Sequence, residues 1–253
     1  MKTVDLYRAD FDGYKHTFHN GKFYKIIDDI RKENLIWLWR NQDKLTKDLY
    51  ILPNGFYETL DYRLVYETDI VSDYITLDKA MYLYMLLDVE DIADKLATVL
   101  AELESIDLVY YDFHGGNTFI DKEGSIKVCD LDSALRIPSA NLLADLKNDP
   151  LYRTYANKIT SRKMLFQFIL QLLTIPEYYT SFASLLSYEV LTKKLEILEC
   201  FPREVSEYLE VLNAGNNDVL SVNIKDILSS IFKSDAQEKI KAKMKEYNLC
   251  KQP

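Results

Sequence analysis

Leu108-Val-Tyr-Tyr-Asp-Phe-His-Gly-Gly-Asn-Thr-Phe-Ile120, then Asp121-Lys-Glu-Gly124, then Ser125-Ile-Lys-Val-Cys-Asp-Leu-Asp-Ser-Ala134, is the stretch that decides how this chain is read. Thr118-Phe-Ile and Ile126-Lys-Val are short apolar runs on either side of a turn at Asp121–Gly124, which predicts a hairpin. Asp112 and Asn117 fall in the loop entering it, and Asp130 falls where the second strand leaves. Three polar groups thereby converge at one end of a two-stranded ribbon. Gly115-Gly116 lets the backbone turn tightly between the first two.

This segment resembles the protein-kinase-like superfamily, whose catalytic loop reads H-R-D-L-x-x-x-N and is followed by a D-F-G that holds Mg²⁺. Tyr110-Tyr-Asp-Phe-His-Gly-Gly-Asn117 takes the place of that loop, with Asp112 and Asn117 five residues apart, the family spacing. Asp130-Leu131-Asp132 stands where D-F-G would be, thirteen residues after Asn117. The resemblance implies an ATP-dependent kinase. Asp112 would orient an acceptor hydroxyl and take its proton, and Asn117 and Asp130 would be oxygen ligands for Mg²⁺ or Mn²⁺. Asp132 replaces the glycine of D-F-G, either as a second metal ligand or as a cap of the following turn.

Outward from this segment, the N-terminal quarter reads as strands. Tyr14-Lys-His-Thr-Phe and Lys22-Phe-Tyr-Lys-Ile-Ile are rich in aromatic and β-branched residues, and Asn20-Gly21 between them is a strong hairpin signal. Alternation puts Lys25 on the face of Phe23 and Ile27, an unusual setting for a lysine, unless it snorkels at a sheet edge. Asp28 and Asp29 are N-cap candidates for a helix to about Gln42, with Ile30, Glu33, Trp37 and Arg40 along one side. In the family a strand lysine pairs with a glutamate of the next helix and meets the α- and β-phosphates, so the resemblance implies a Lys25–Glu33 pair. Leu49–Leu52 and Tyr62–Tyr66 read as two further strands, joined through Pro53-Asn-Gly. Leu64-Val-Tyr-Glu-Thr-Asp resembles the hinge between two lobes, which implies Tyr66 at the back of an adenine pocket and the Glu67–Asp69 backbone on the adenine edge.

Beyond Ser72 the pattern is helical, at Thr76–Leu87, Val89–Glu104, Ser161–Leu173, Phe182–Leu198, Arg203–Leu212, Ile224–Phe232 and Asp235–Tyr247. The expected fold is therefore α+β: a protein-kinase-like two-lobe arrangement with a β-rich N-lobe carrying one helix (1–69) and a mainly helical C-lobe (70–253). The chain departs from the family in several places. It has no G-x-G-x-x-G, and Gly13 alone precedes the Asn-Gly turn, which leaves a looser phosphate cover around Asp10–Tyr14. Tyr110 replaces the usual histidine, no A-P-E follows Asp130, and Ser161 stands where an aspartate opens the long central helix. His114 makes the loop D-x-H-x-G-N, closer to aminoglycoside and choline kinases and to bacterial kinase-like proteins. The expected acceptor is a hydroxyl, of protein Ser/Thr or of a small molecule. The missing glycine-rich loop also leaves a pseudokinase interaction module open.

Bulk composition sets the limits. With 253 residues, 48% hydrophobic and 28% charged, the chain can bury a large core without staples. A net charge of −9 argues against nucleic acid as the main partner. Three separated cysteines without a CxxC indicate thiols in a reducing compartment. The longest apolar stretch, Met164–Ile175, is too short to cross a bilayer, and the N-terminus has no signal core, so a cytoplasmic location is expected. Three histidines without cysteine partners make a zinc site improbable, and no G-x-S-x-G or Walker lysine is present.

Overall fold

A computed structural model describes residues 2–11, 15–83, 87–110, 112–136, 158–174 and 197–246. The protein is α+β, with a five-stranded sheet ordered β1-β4-β5-β3-β2 and helices that mostly follow it. The strands are β1 (Lys2–Val4), β2 (His16–His19), β3 (Lys22–Ile26), β4 (Gly55–Thr59) and β5 (Leu64–Asp69). Asn20 and Gly21 both take positive φ, 48° and 72°, which a two-residue turn between right-twisted strands requires. Helix α1 (Asp29–Arg40) follows with Asp28 at its N-cap, although the Asp28 side chain pairs with Lys15 instead of capping.

The expected strand at Leu49–Leu52 is corrected. Lys47–Leu49 is a turn of 3₁₀ helix, and Tyr50 makes only an isolated parallel bridge to Val128. The strand of this region is β4, which starts after Pro53, a residue with no N–H to give to a ladder. The sequence reading missed β4 because both it and β5 are narrow runs around the tight Leu60–Arg63 connection.

Two clusters form the apolar interior. The smaller, Leu6, Phe11, Tyr24 and Val65, covers one face of the sheet. The larger runs from the other face, through Ile27, Leu35, Leu38 and Tyr66, into the helices. Helix α2 (Leu77–Tyr82) is capped by Thr76, and α3 (Val89–Ser105) by Asp88. Helix α3 buries Ile92, Leu96, Val99, Leu100 and Leu103 at helical spacing. Helix α4 (Lys158–Thr174) is apolar on nearly every side and lies against α3. Helices α5 (Arg203–Asn213), α6 (Ile224–Phe232) and α7 (Ala236–Glu246) follow, as the periodicity predicts. The expected helix at Phe182–Leu198 lies almost wholly outside the described residues, and α2 ends sooner than expected. None of the described helices is long and apolar enough to cross a membrane.

Between α3 and α4 lie β7 (Leu108–Val109), β8 (Thr118–Ile120), β9 (Ile126–Val128) and β10 (Leu135–Arg136). β8 and β9 form the expected hairpin, joined by β6 (Ile75–Thr76) on the outer side of β8. Asp121 Oδ1 accepts from the N–H groups of Glu123 and Ser125 at 3.0 and 2.8 Å, and Gly124 takes a φ of 84°, so the turn is fixed by its own residues.

Candidate functional site

The hairpin sets its polar groups through local backbone contacts. Asn117 donates from Nδ2 to Asp112 Oδ2 at 2.8 Å, and its carbonyl accepts from Cys129 N–H at 2.9 Å. The loop residue is thus tied to the strand that ends in Asp130. His114 Nδ1 accepts from Gly116 N–H at 3.0 Å, which leaves the ring proton on Nε2, 3.5 Å from Asp112 Oδ1. Gly115 is needed for space, because a Cβ there would stand 2.1 Å from Asp78 Oδ1. Burial pushes the Asp78 carboxyl above its ordinary pKa, and His114 offsets part of that.

Two buried contacts hold this loop from below. Tyr110 is fully buried and donates its hydroxyl to the Cys129 carbonyl at 3.1 Å. Ser161, in the first turn of α4, donates to the Tyr110 carbonyl. Ser161 therefore anchors the loop with a neutral donor. Beside it, Arg162 pairs with Glu104 at 3.1 Å and donates to the carbonyls of Val219, Leu220 and Val222.

Asp130 takes left-handed φ and ψ of 56° and 36°, and its carbonyl accepts from both the N–H and the hydroxyl of Ser133. Such a backbone is uncommon outside glycine but tolerated by aspartate, and it turns the two carboxyls of Asp130 and Asp132 toward the sheet. There Lys25 meets both, bonding Asp130 Oδ1 closely and Asp132 Oδ1 at 2.8 Å. Tyr66, the cross-strand partner of Lys25, donates to the same Asp132 oxygen at 3.3 Å. Arg31 of α1 reaches Asp132 Oδ2 at 2.9 Å.

Charge balance follows from this packing. Burial acts against the Lys25 ammonium, but Asp132 and Asp130 outweigh it and hold its pKa above the usual value. Burial likewise opposes the charge of Asp132, yet Lys25, a hydrogen bond with the Asp130 carboxyl and Arg31 together pull it down to about 2. Asp130 shifts upward, through burial and the neighbouring Asp132 carboxylate. Cys129 beside them is pushed up to about 12 by burial, so it is a thiol and not a nucleophile at neutral pH.

Of these groups Tyr66, Cys129, Asp130 and Asp132 line a cavity of about 300 Å³, together with Phe18, Phe23, Thr68, Phe119 and Leu131 among others. It is mostly apolar with a few convergent charges, the usual make-up of a small-molecule site. Its far side is Asp69, Ile70 and Val71, where the chain leaves β5.

Two sequence expectations are corrected by this geometry. Glu33 does not pair with Lys25; it lies on the exposed side of α1, whose buried side carries Asn34, Leu35 and Leu38. Glu67 does not offer a free backbone edge, since its carbonyl accepts from Asn54 N–H at 2.7 Å. Its side chain accepts from the Tyr24 hydroxyl at 2.7 Å on the opposite face of the sheet from Tyr66 and Thr68. Asp69 stays on the cavity wall, paired with Lys22. The phosphate-cover expectation at Asp10–Tyr14 rests largely on positions 12–14, outside the described residues.

Arg31, Asp78 and the Tyr66 hydroxyl are site features the sequence reading missed. Only Arg31 left a trace, being one helical turn before Asn34 and Leu35.

No family model matches this chain, and no curated protein matches it. The kinase-like resemblance therefore rests on the motif spacing in the sequence.

Proposed function

We propose that this chain is an ATP-dependent phosphotransferase of the protein-kinase-like type, using Mg²⁺ or Mn²⁺ and moving the γ-phosphate to a hydroxyl. The supporting observation is the joint presence of Asp130 in the wall of an apolar cavity, of Lys25 bonded to it, and of the Asp112–Asn117 pair in the loop that enters the same hairpin. In this reading the smaller β-rich part is an N-lobe, and the adenine lies in the cavity against the Asp69–Val71 segment. Lys25 holds the α- and β-phosphates.

Asn117 and Asp130 fit a magnesium site by donor chemistry: both offer oxygen, and Asp130 keeps about a third of its side chain open toward the cavity. Among the described residues no three carboxylate, histidine or cysteine groups gather into a metal cage, which suits an ion that shares its shell with phosphates and water. The ion, when bound, neutralises charge on the transferring phosphoryl group. Asp112 takes the proton of the acceptor hydroxyl as its oxygen bonds to the γ-phosphorus, and ADP leaves with the bridging oxygen and its electron pair. Asn117 holds Oδ2 of Asp112, and Oδ1, with His114 Nε2 at 3.5 Å, takes that proton.

The acceptor is protein Ser/Thr in the first reading. His114 favours a second, a small-molecule hydroxyl, because its ring is fixed against Asp112 in the pattern closer to aminoglycoside and choline kinases. Intact mass after incubation with Mg²⁺ and ATP tests the proposal. A phosphate added to the chain, absent from Asp112→Ala, supports the protein acceptor; transfer to an added metabolite alone supports the second. An added AMP, or ATP left untouched with every divalent metal and no thermal stabilisation by the nucleotide, overturns phosphoryl transfer.

A further inference from the structure

Asp130 and Asp132 are two residues apart yet differ in every physical respect. The Asp132 side chain is 4% exposed and that of Asp130 is 32% exposed. Both oxygens of Asp132 are committed, Oδ1 to Lys25 and Tyr66 and Oδ2 to Arg31. Two of these donors come from paired positions on β3 and β5, so sheet register sets them together. The third comes from α1. That helix is fastened a second time just beyond the same segment, where Asn34 Oδ1 accepts from Arg136 N–H at 3.0 Å.

We propose that Asp132 is not a metal ligand but the fixed counter-ion of Lys25 and, through Arg31, the anchor that ties α1 to the site. Relative to the kinase-like pattern the polarity is reversed: the helix supplies the cation and the loop after β9 supplies the acid. The inference rests on the phosphotransferase reading for what Lys25 holds, but the anchoring of α1 does not depend on it.

Three physical arguments carry it. Magnesium gives up its water reluctantly and prefers an oxygen that faces solvent, which Asp130 has and Asp132 lacks. Asp132 is the carboxylate that Lys25 and Arg31 share, so withdrawing it toward a metal would take the same buried anion from both cations. Finally, a nucleotide with its metal competes for the Lys25–Asp130 contact alone. The Lys25–Asp132 bond lies outside that competition, so it would hold the ammonium in place if phosphate took over from Asp130. Arg31 and Asp132 are positioning residues, acting through Lys25.

Two measurements on the full chain test this. In the first, Mn²⁺ is titrated by electron paramagnetic resonance in the presence of a non-hydrolysable ATP analogue, alongside steady-state kinetics. Asp130→Asn is expected to weaken Mn²⁺ tenfold or more. Asp132→Asn is expected to leave Mn²⁺ within about threefold while raising the KM for ATP tenfold or more. Equal loss of Mn²⁺ in both variants overturns the proposal. In the second, hydrogen exchange is followed at the amides of α1 without nucleotide. Asp132→Asn and Arg31→Ala are expected to speed it at least tenfold, Arg31→Lys to restore most of the protection, and Glu33→Gln to change nothing. Unchanged exchange in Arg31→Ala overturns the proposal, and that variant decides the matter if Asp132→Asn does not fold. Wild type that takes up no Mn²⁺ with the analogue would sink the phosphotransferase reading, and exchange at α1 would still decide the anchoring.

Discussion

The β8–β9 hairpin and the sheet that meets it at Asp130 are built differently. On the hairpin side, beyond the buried anchors from Tyr110 and Ser161, the contacts that set the polar groups are local: Asn117 to Asp112 across five residues, Gly116 to His114 across two, Ser133 to Asp130 across three. On the sheet side they are long-range: Lys25 to Asp130 across 105 residues, Arg31 to Asp132 across 101. Local contacts require a residue type at a set spacing, because turn geometry leaves one arrangement. Long-range contacts require only complementary charge in a buried place, so which element brings the acid and which the base is open to change. The hairpin side is accordingly legible as a spaced motif, and the sheet side as a charge balance that spacing does not specify.

Substitutions sharpen that contrast, beginning with the largest effect. Asp112→Ala is expected to lower phosphoryl transfer about 10³-fold, as loss of a general base does, with unfolding by urea unchanged. A comparable fall in stability would mean that Asp112 is a structural turn residue, and the hairpin side would lose its functional reading. Gly115→Ala comes next. The new Cβ would meet Asp78 Oδ1 at 2.1 Å and the Asp78 backbone nitrogen at 2.9 Å, so a destabilisation of about 2 kcal/mol is expected by urea unfolding. On the sheet side, Gly21→Ala forces a side chain onto a φ of 72° with nothing crowding it, and about 1 kcal/mol is expected from backbone conformation alone.

The smallest effect is electrostatic. The Asp78 pKa is raised in the folded state, mainly by burial. Its protonated form is therefore favoured on folding, a contribution complete below the ordinary carboxylate pKa and lost as pH rises through the folded value. At neutral pH the buried charge is a net cost, so Asp78→Asn is expected to raise the melting temperature at pH 7. The gain should vanish in acid, below the ordinary carboxylate range. A gain that persists there would show that the charge is not the cause.

Much of this molecule was legible before any coordinates. The Asn20-Gly21 turn, the β8–β9 hairpin, the limits of α3 and α6, and the convergence of Asp112 and Asn117 all follow from turn dihedrals and periodicity within a few residues. Other features were not legible. Tyr50 reads as part of a sheet strand and instead bridges to Val128, 78 positions away. Glu67 reads as a hinge contact and instead lies inside a sheet, its carbonyl taken by Asn54 because β5 is a central strand. Glu33 and Arg31 sit two residues apart on one helix, and nothing in their spacing says which side faces Lys25.

The sequence by itself determined the elements and the short-range constellation, since bond geometry over a few residues admits few solutions. Tertiary structure alone decided the sheet order, the face that α1 presents and the partner of Lys25. Those depend on how whole faces pack and on which buried charges must be neutralised together, and neither is written in local spacing.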